Sequence, residues 1–156
     1  ASMCGMIYHP TSRHVLTKST GYFDVPPVSA HVMAKKAISV PGSKLYGPYT
    51  PGVMANGMIW LSGQIDVEAG EDTASQTAGA LAKIDALLEA AGVTKDAVCF
   101  AQVLLDDIGD FQEMNEVYGA WVESMEIKPA RAAFEAGALP AGAKVEIVVQ
   151  AIDTNR

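Results

Sequence analysis

The chain has 156 residues and a mass of 16.4 kDa, a length that suits one domain with a real hydrophobic core. Hydrophobic residues make up 49% and charged residues 19%, which excludes a disordered chain, and no apolar run approaches the ~18 residues of a membrane span. The formal net charge of −7, with no local Lys/Arg cluster to offset it, repels phosphate backbones and argues against nucleic acid as the main partner.

Residues 1–32 differ from everything after them. They hold a single acidic residue, Asp24, all three histidines of the chain (His9, His14 and His31), and many Ser, Thr and Pro. They are expected to form an N-terminal extension of unknown role ahead of a domain spanning 33–156. Met33-Ala-Lys-Lys36 resembles a translation start. The first 23 residues carry Arg13 and Lys18 with no acid, a faint likeness to an organellar transit peptide, but no amphipathic Arg-rich helix accompanies them. A cytoplasmic location is expected, with a mitochondrial one as the alternative. The three histidines are irregularly spaced and stand near no acid or thiol cluster, so no metal site is expected. Cys4 and Cys99 show neither metal-ligand spacing nor a disulfide pattern, as suits a reducing compartment.

The domain opens with a strand over 36–40, stopped by Pro41-Gly42. Leu45-Tyr-Gly-Pro-Tyr-Thr-Pro-Gly52 is then a turn-rich loop stiffened by Pro48 and Pro51, able to present Tyr49 to a pocket. Asn56-Gly57 predicts a two-residue hairpin turn, followed by a strand over 58–65 with a bulge at Ser62-Gly63. After an acidic loop, Thr77, Leu81, Ile84, Leu88 and Ala91 recur at helical steps. Asp72 or Thr73 caps this helix and Gly92 ends it. Residues 97–105 are almost wholly apolar and read as a strand buried on both faces or nearly so. A second helix over 111–125, capped by Asp110, carries Phe111, Met114, Tyr118, Trp121 and Met125 as a core stripe, with Asn115 at its edge.

Pro129 closes that helical segment, and residues 132–137 read as a short strand with Arg131 at its mouth. After a turn over 139–142, a last strand carries Glu146. The pair is separated by 146 − 131 = 15 residues, enough for strand, turn and strand to bring a guanidinium and a carboxylate to one cleft. Arginine matches a substrate carboxylate through two parallel hydrogen bonds, and glutamate can orient or deprotonate a water. The plainer alternative is a structural ion pair between them. Two helices cover only one face of the resulting sheet, and consecutive apolar residues in 97–101 and 145–149 predict that other copies of the chain cover the second.

Gly47-Pro-Tyr49, Ser62-Gly-Gln-Ile65, Leu87-Leu-Glu-Ala-Ala-Gly92, Phe111-x-x-Met-Asn-x-Val-Tyr118, Pro129-Ala-Arg131 with Leu139-Pro140, and Val145-Glu-Ile147 together resemble the Rid (YjgF-like) family of reactive-intermediate deaminases. They fall in family order across roughly residues 36–152. The resemblance implies an α+β, chorismate-mutase-like fold: a mixed sheet with two helices on one face, packed in a homotrimer with clefts between subunits. It implies hydrolysis of enamine or imine intermediates, such as 2-aminoacrylate or 2-iminobutyrate, to 2-oxo acids and ammonia, with no cofactor. Carried over by position, Arg131 grips the substrate carboxylate and Glu146 holds the attacking water. Tyr49, Ser62, Gly63 and Asn115 line the cleft, and the backbone N–H at Ala133 adds a donor. Three departures stand out. Ala132-Ala133 replace a frequent Ser-Cys, Val148 stands where a second glutamate is common, and the loop over 67–72 is short. Outside imine hydrolysis, the alternatives are a non-catalytic module that binds small carboxylates or 2-oxo acids and, against the acidic charge, a ribonuclease or translation inhibitor.

Overall fold

The computed structural model describes residues 34–155. Eight elements follow one another: β1 (Lys36–Ile38), β2 (Gly52–Ala55), β3 (Met58–Gln64), α1 (Thr73–Ala90), β4 (Val98–Leu105), α2 (Phe111–Val122), β5 (Ala130–Glu135) and β6 (Val145–Ile152). The six strands form one mixed sheet in the order β1-β2-β3-β6-β4-β5. β4 and β5 run parallel and every other neighbouring pair antiparallel. The succession of strands and helices is the one the periodicity predicts. Met33, Cys4 and the histidines of the N-terminal extension lie outside the described residues.

Local chemistry accounts for most of the boundaries. Asn56 and Gly57 take φ of 53° and 77°, the left-handed pair that a two-residue hairpin turn needs, and β2 pairs antiparallel with β3 across them. The register of β3 against β6 shifts between Leu61 and Gln64, at the bulge expected around Ser62-Gly63. Asp72 caps α1 by accepting from the Ser75 N–H at 2.7 Å, and Gly92 leaves the helix at φ +81°. Replacing Asp72 with alanine is expected to cost about 1 kcal/mol, measured as a lower urea midpoint at unchanged slope.

The core lies between the sheet and the two helices. Val145, Ile147, Val149 and Ala151 of β6, and Ala101, Val103 and Leu105 of β4, are fully enclosed there with Leu81, Ile84 and Leu88 of α1 and Met114 of α2. The helices are also tied to one another by polar contacts. The Trp121 indole N–H donates to Asp85 at 3.0 Å, Thr73 Oγ donates to Asp110 at 2.6 Å, and the Ala74 N–H donates to Glu113 at 2.9 Å. These bonds hold α2 in a fixed position relative to α1.

Several expectations need correction. Asp110 makes no side-chain cap on α2, because its carboxylate is engaged by Thr73. The helix ends at Val122, not at 125, though Met125 remains buried. β4 alternates: its even positions Phe100, Gln102 and Leu104 are only half-buried, since both helices pack on the other face. Arg131 stands inside β5, which starts at Ala130, and not at the strand's mouth. Above all, β5 and β6 are not hairpin partners. β4 is inserted between them, so the short connection over 136–144 crosses a strand. The open face of the sheet carries Trp60, Phe134 and Ile152, each at least 40% exposed within the single chain.

Candidate functional site

Glu146 lies at the second position of β6, between the enclosed Val145 and Ile147, so strand alternation turns it to the open face. It lines a cavity of about 160 Å³ together with Tyr46, Tyr49, Ser62, Gly63, Ile65 and Pro140. Burial pushes its carboxyl above the ordinary carboxylate range. Its seat is made by the absence of a side chain at Gly63. A Cβ built there would clash with Glu146 Oε1 and come within 2.6 Å of its carboxyl carbon. Ser62 fixes the neighbouring loop: its hydroxyl donates to the Thr50 carbonyl at 2.8 Å and its N–H to the Pro51 carbonyl at 2.9 Å. Those two bonds place Tyr49 at the rim. On the helix side, Lys83 secures the end of β3 by donating to the Ile65 carbonyl at 2.7 Å and pairing with Asp66 at 3.0 Å.

Arg131 belongs to a different surface. Register places it beside Ala101 and places Glu146 beside Leu104, both on β4. Ala101 and Leu104 are an odd number of residues apart on one continuous strand, so Arg131 and Glu146 lie on opposite faces of the sheet. The Arg131 side chain turns toward α2. Its guanidinium carbon sits 4.7 Å from the centre of the Tyr118 ring and 5.8 Å from that of Phe111. Among the described residues it joins no ion pair, and the structural Arg131–Glu146 pair is absent. Asn115 is four residues after Phe111 and three before Tyr118, hence on the same stripe of α2. Tyr118 is 5% exposed, its hydroxyl is buried without a partner among the described residues, and burial raises its pKa against the opposing pull of Arg131.

Ala133 shares the Arg131 face, beside Val103. The Ala136 N–H bonds the Leu105 carbonyl at 2.8 Å, which directs that amide toward β4. Counting back in steps of two, the amides of residues 134 and 132 also face β4, while those of Arg131 and Ala133 face outward. β5 is an edge strand among the described strands, so these N–H groups lie along the sheet's open rim.

The seven residues picked out from the sequence thus form two groups. Tyr49, Ser62, Gly63 and Glu146 meet in one cavity; Arg131, Asn115 and Ala133 gather at the β5 edge over α2. The sequence reading missed Tyr46, Ile65 and Pro140 as cavity walls. It also took Phe111 for core, whereas Phe111 is 37% exposed and faces Arg131. The 111–115–118 spacing carried that signal, since it places two aromatic rings on either side of the one polar residue. Among the described residues, no group of three or more His, Cys, Asp or Glu is placed to hold a metal ion, and no helix is long and apolar enough to cross a membrane.

Comparison with known proteins agrees with this architecture. The profile of the family described as endoribonuclease L-PSP matches residues 42–153. A human 2-iminobutanoate/2-iminopropanoate deaminase is 38% identical over 112 residues, covering 68% of this chain and 80% of that protein. The Rid-family protein YyfA of Yersinia pestis superposes with a TM-score of 0.71 at 35% identity, covering 77% of this chain and all of that one. TdcF of E. coli, solved with bound serine, gives a TM-score of 0.70 at 30% identity, covering 76% and 99% of the two chains. With the profile match spanning well over half the chain and the fold shared over 77% of it, this protein belongs to the endoribonuclease L-PSP (Rid/YjgF) family.

Proposed function

We propose that the chain hydrolyses 2-imino acids and their 2-enamine tautomers to 2-oxo acids and ammonia, in clefts that two copies of the chain complete together. The observation that carries this reading is the separation of the two groups of residues. An anion-gripping edge with a free guanidinium and outward amides lies on one face, and a half-buried carboxylate in a small cavity lies on the other. Neither half suffices alone. A second copy that covers the open face of the sheet with the β5 edge of its neighbour brings the halves together, and in a homotrimer the arrangement repeats three times.

In such a cleft Arg131 binds the substrate carboxylate bidentately, and the Ala133 N–H adds a third donor. Asn115 and Tyr49 border the bound molecule. Ionised Glu146 takes a proton from water as its oxygen adds to the imine carbon, giving a carbinolamine. That proton goes to the nitrogen to complete the neutral carbinolamine, Glu146 then carries the hydroxyl proton to the same nitrogen, the C–N bond breaks, and ammonia leaves as the carbonyl forms. An enamine first gains a proton at its terminal carbon and gives one up from nitrogen, which makes it the imine. The imine is already electrophilic, so positioning and one assisted proton transfer are sufficient. The deaminase names carried by mammalian relatives and the serine held by TdcF support a small amino-acid-derived carboxylate as ligand.

The test is direct. 2-Imino acids are generated in situ with an amino-acid oxidase, and 2-oxo acid release is followed with and without the protein. Acceleration supports the reading. Tight binding of 2-oxobutyrate with no acceleration selects a carboxylate-binding module instead. A sharper variant is Gly63→Ala, in which the new methyl group must displace the Glu146 carboxylate. It is expected to lower kcat by about 10²-fold, close to the loss on removing the base itself, while 2-oxobutyrate binding changes little.

A further inference from the structure

We infer that Phe111 and Tyr118 are positioning residues for Arg131: two aromatic faces hold its guanidinium where an acidic partner would otherwise be needed. The inference rests on the reading of Arg131 as the carboxylate grip, and it extends that reading to residues so far explained only as packing.

An arginine side chain has several rotatable bonds, and a free one samples many positions. Proteins usually restrain a functional arginine with a carboxylate, but that partner occupies the same planar fork of N–H donors that a substrate carboxylate needs. Here no described acid is paired with Arg131. Instead its guanidinium carbon lies 4.7 Å from the Tyr118 ring centre and 5.8 Å from that of Phe111, both within cation–π range. Ring faces attract the cation through their quadrupole and leave the in-plane donors unspent. The charge is therefore kept, as is the fork.

The two rings differ in a way that suits the task. Tyr118 is buried, tilted at 53° against Trp121 with ring centres 5.7 Å apart, on a helix fastened to α1 by the Trp121–Asp85 bond. It is the fixed floor. Phe111 stands two helical turns away at the exposed end of the stripe, beside the preceding turn over 108–110. Between them in sequence, Asn115 is the polar residue of the same helical stripe. Among the described residues the Tyr118 hydroxyl has no hydrogen-bond partner, so what its surroundings use is the ring.

The experiment reads stacking and binding separately. The chain contains three arginines, Arg13, Arg131 and Arg156, so the Arg131 side-chain Nε–Hε signal is assigned by its loss in Arg131→Lys. Ring currents are expected to move that signal upfield from the random-coil position in the full-length protein, and Tyr118→Leu and Phe111→Leu should each move it back. In parallel, both leucine variants are expected to weaken 2-oxobutyrate binding roughly fivefold or more and to raise KM more than they lower kcat. Tyr118→Phe, which keeps the ring and removes an unpartnered hydroxyl, should recover most of that affinity. Phe111→Leu, at an exposed position, guards against misfolding of the buried variant. An Arg131 signal at the random-coil position, or leucine variants that bind 2-oxobutyrate as the parent does, would overturn the inference. A shifted signal in a protein that accelerates no imine hydrolysis would support the stacking and count against the proposed reaction instead.

Discussion

Replacing Arg131 with alanine is expected to lower kcat/KM for imine hydrolysis by about 10²–10³-fold, with most of the loss appearing as weaker carboxylate binding. The physical reason is specific to this side chain. Arg131 is the only arginine among the described residues, it joins no ion pair there, and it stands beside two outward-facing amides at the rim of the sheet. Removing it takes that positive charge from the edge, and the nearest basic neighbour in sequence, Lys128, lies in the irregular segment before β5. Lysine at position 131 is expected to restore little. An ammonium cannot form the parallel pair of bonds, and it stacks less well on Tyr118 and Phe111. Folding should survive either change, since Arg131 is exposed and contributes nothing to the core. The comparison uses 2-oxobutyrate titration beside steady-state kinetics; unchanged values in Arg131→Ala would remove the grip from the mechanism.

Glu146→Gln should have an effect of similar size but opposite character, lowering kcat by about 10²–10⁴-fold with little change in carboxylate affinity. The pH dependence follows from burial. Because desolvation raises the Glu146 pKa, the base is protonated, and lost, at a higher pH than an ordinary glutamate near ~4.3 would be. The acid limb of the kcat/KM profile is therefore displaced upward, and Glu146→Gln should abolish it. Stability runs the other way. The folded state holds this proton more tightly than the unfolded state, so stability falls as pH rises from the unfolded value through the folded one. Above that window the ionised carboxylate is a net cost to folding, and Glu146→Gln should raise the melting temperature at neutral pH. An inactive protein that is more stable than its parent marks a residue kept for chemistry.

Much of the domain was legible in the sequence, and the reasons are local. The Asn56-Gly57 hairpin, the Asp72 cap and the Gly92 stop are each written within four residues of chain, and the stripe of α1 repeats often enough to leave no other reading. Failures occurred where tertiary pairing decides. Nothing near residues 130–150 signals that β4 inserts between β5 and β6, so a strand–turn–strand count placed Arg131 and Glu146 in one cleft of one chain. The apolar run of β4 looked buried on both faces, yet in the single chain one of those faces is half-open. Asp110 looked like a helix cap because its sequence position fits, but Thr73, 37 residues earlier, takes its carboxylate. Residue type and placement point to Arg131, Glu146, Tyr49 and Asn115, whereas Ser62, Gly63 and Ala133 as cleft residues come from resemblance to a family. What the fold adds is their division between two faces, a property no single-chain motif carries.

That division gives the most direct test of the whole account. Arg131→Ala and Glu146→Gln chains, each inactive alone, are unfolded together at equal amounts, refolded and assayed for 2-oxo acid release. If guanidinium and carboxylate come from different copies, random mixing leaves about one cleft in four with both native residues, and about that share of wild-type activity returns. A mixture as inactive as its two components would contradict a cleft shared between protomers.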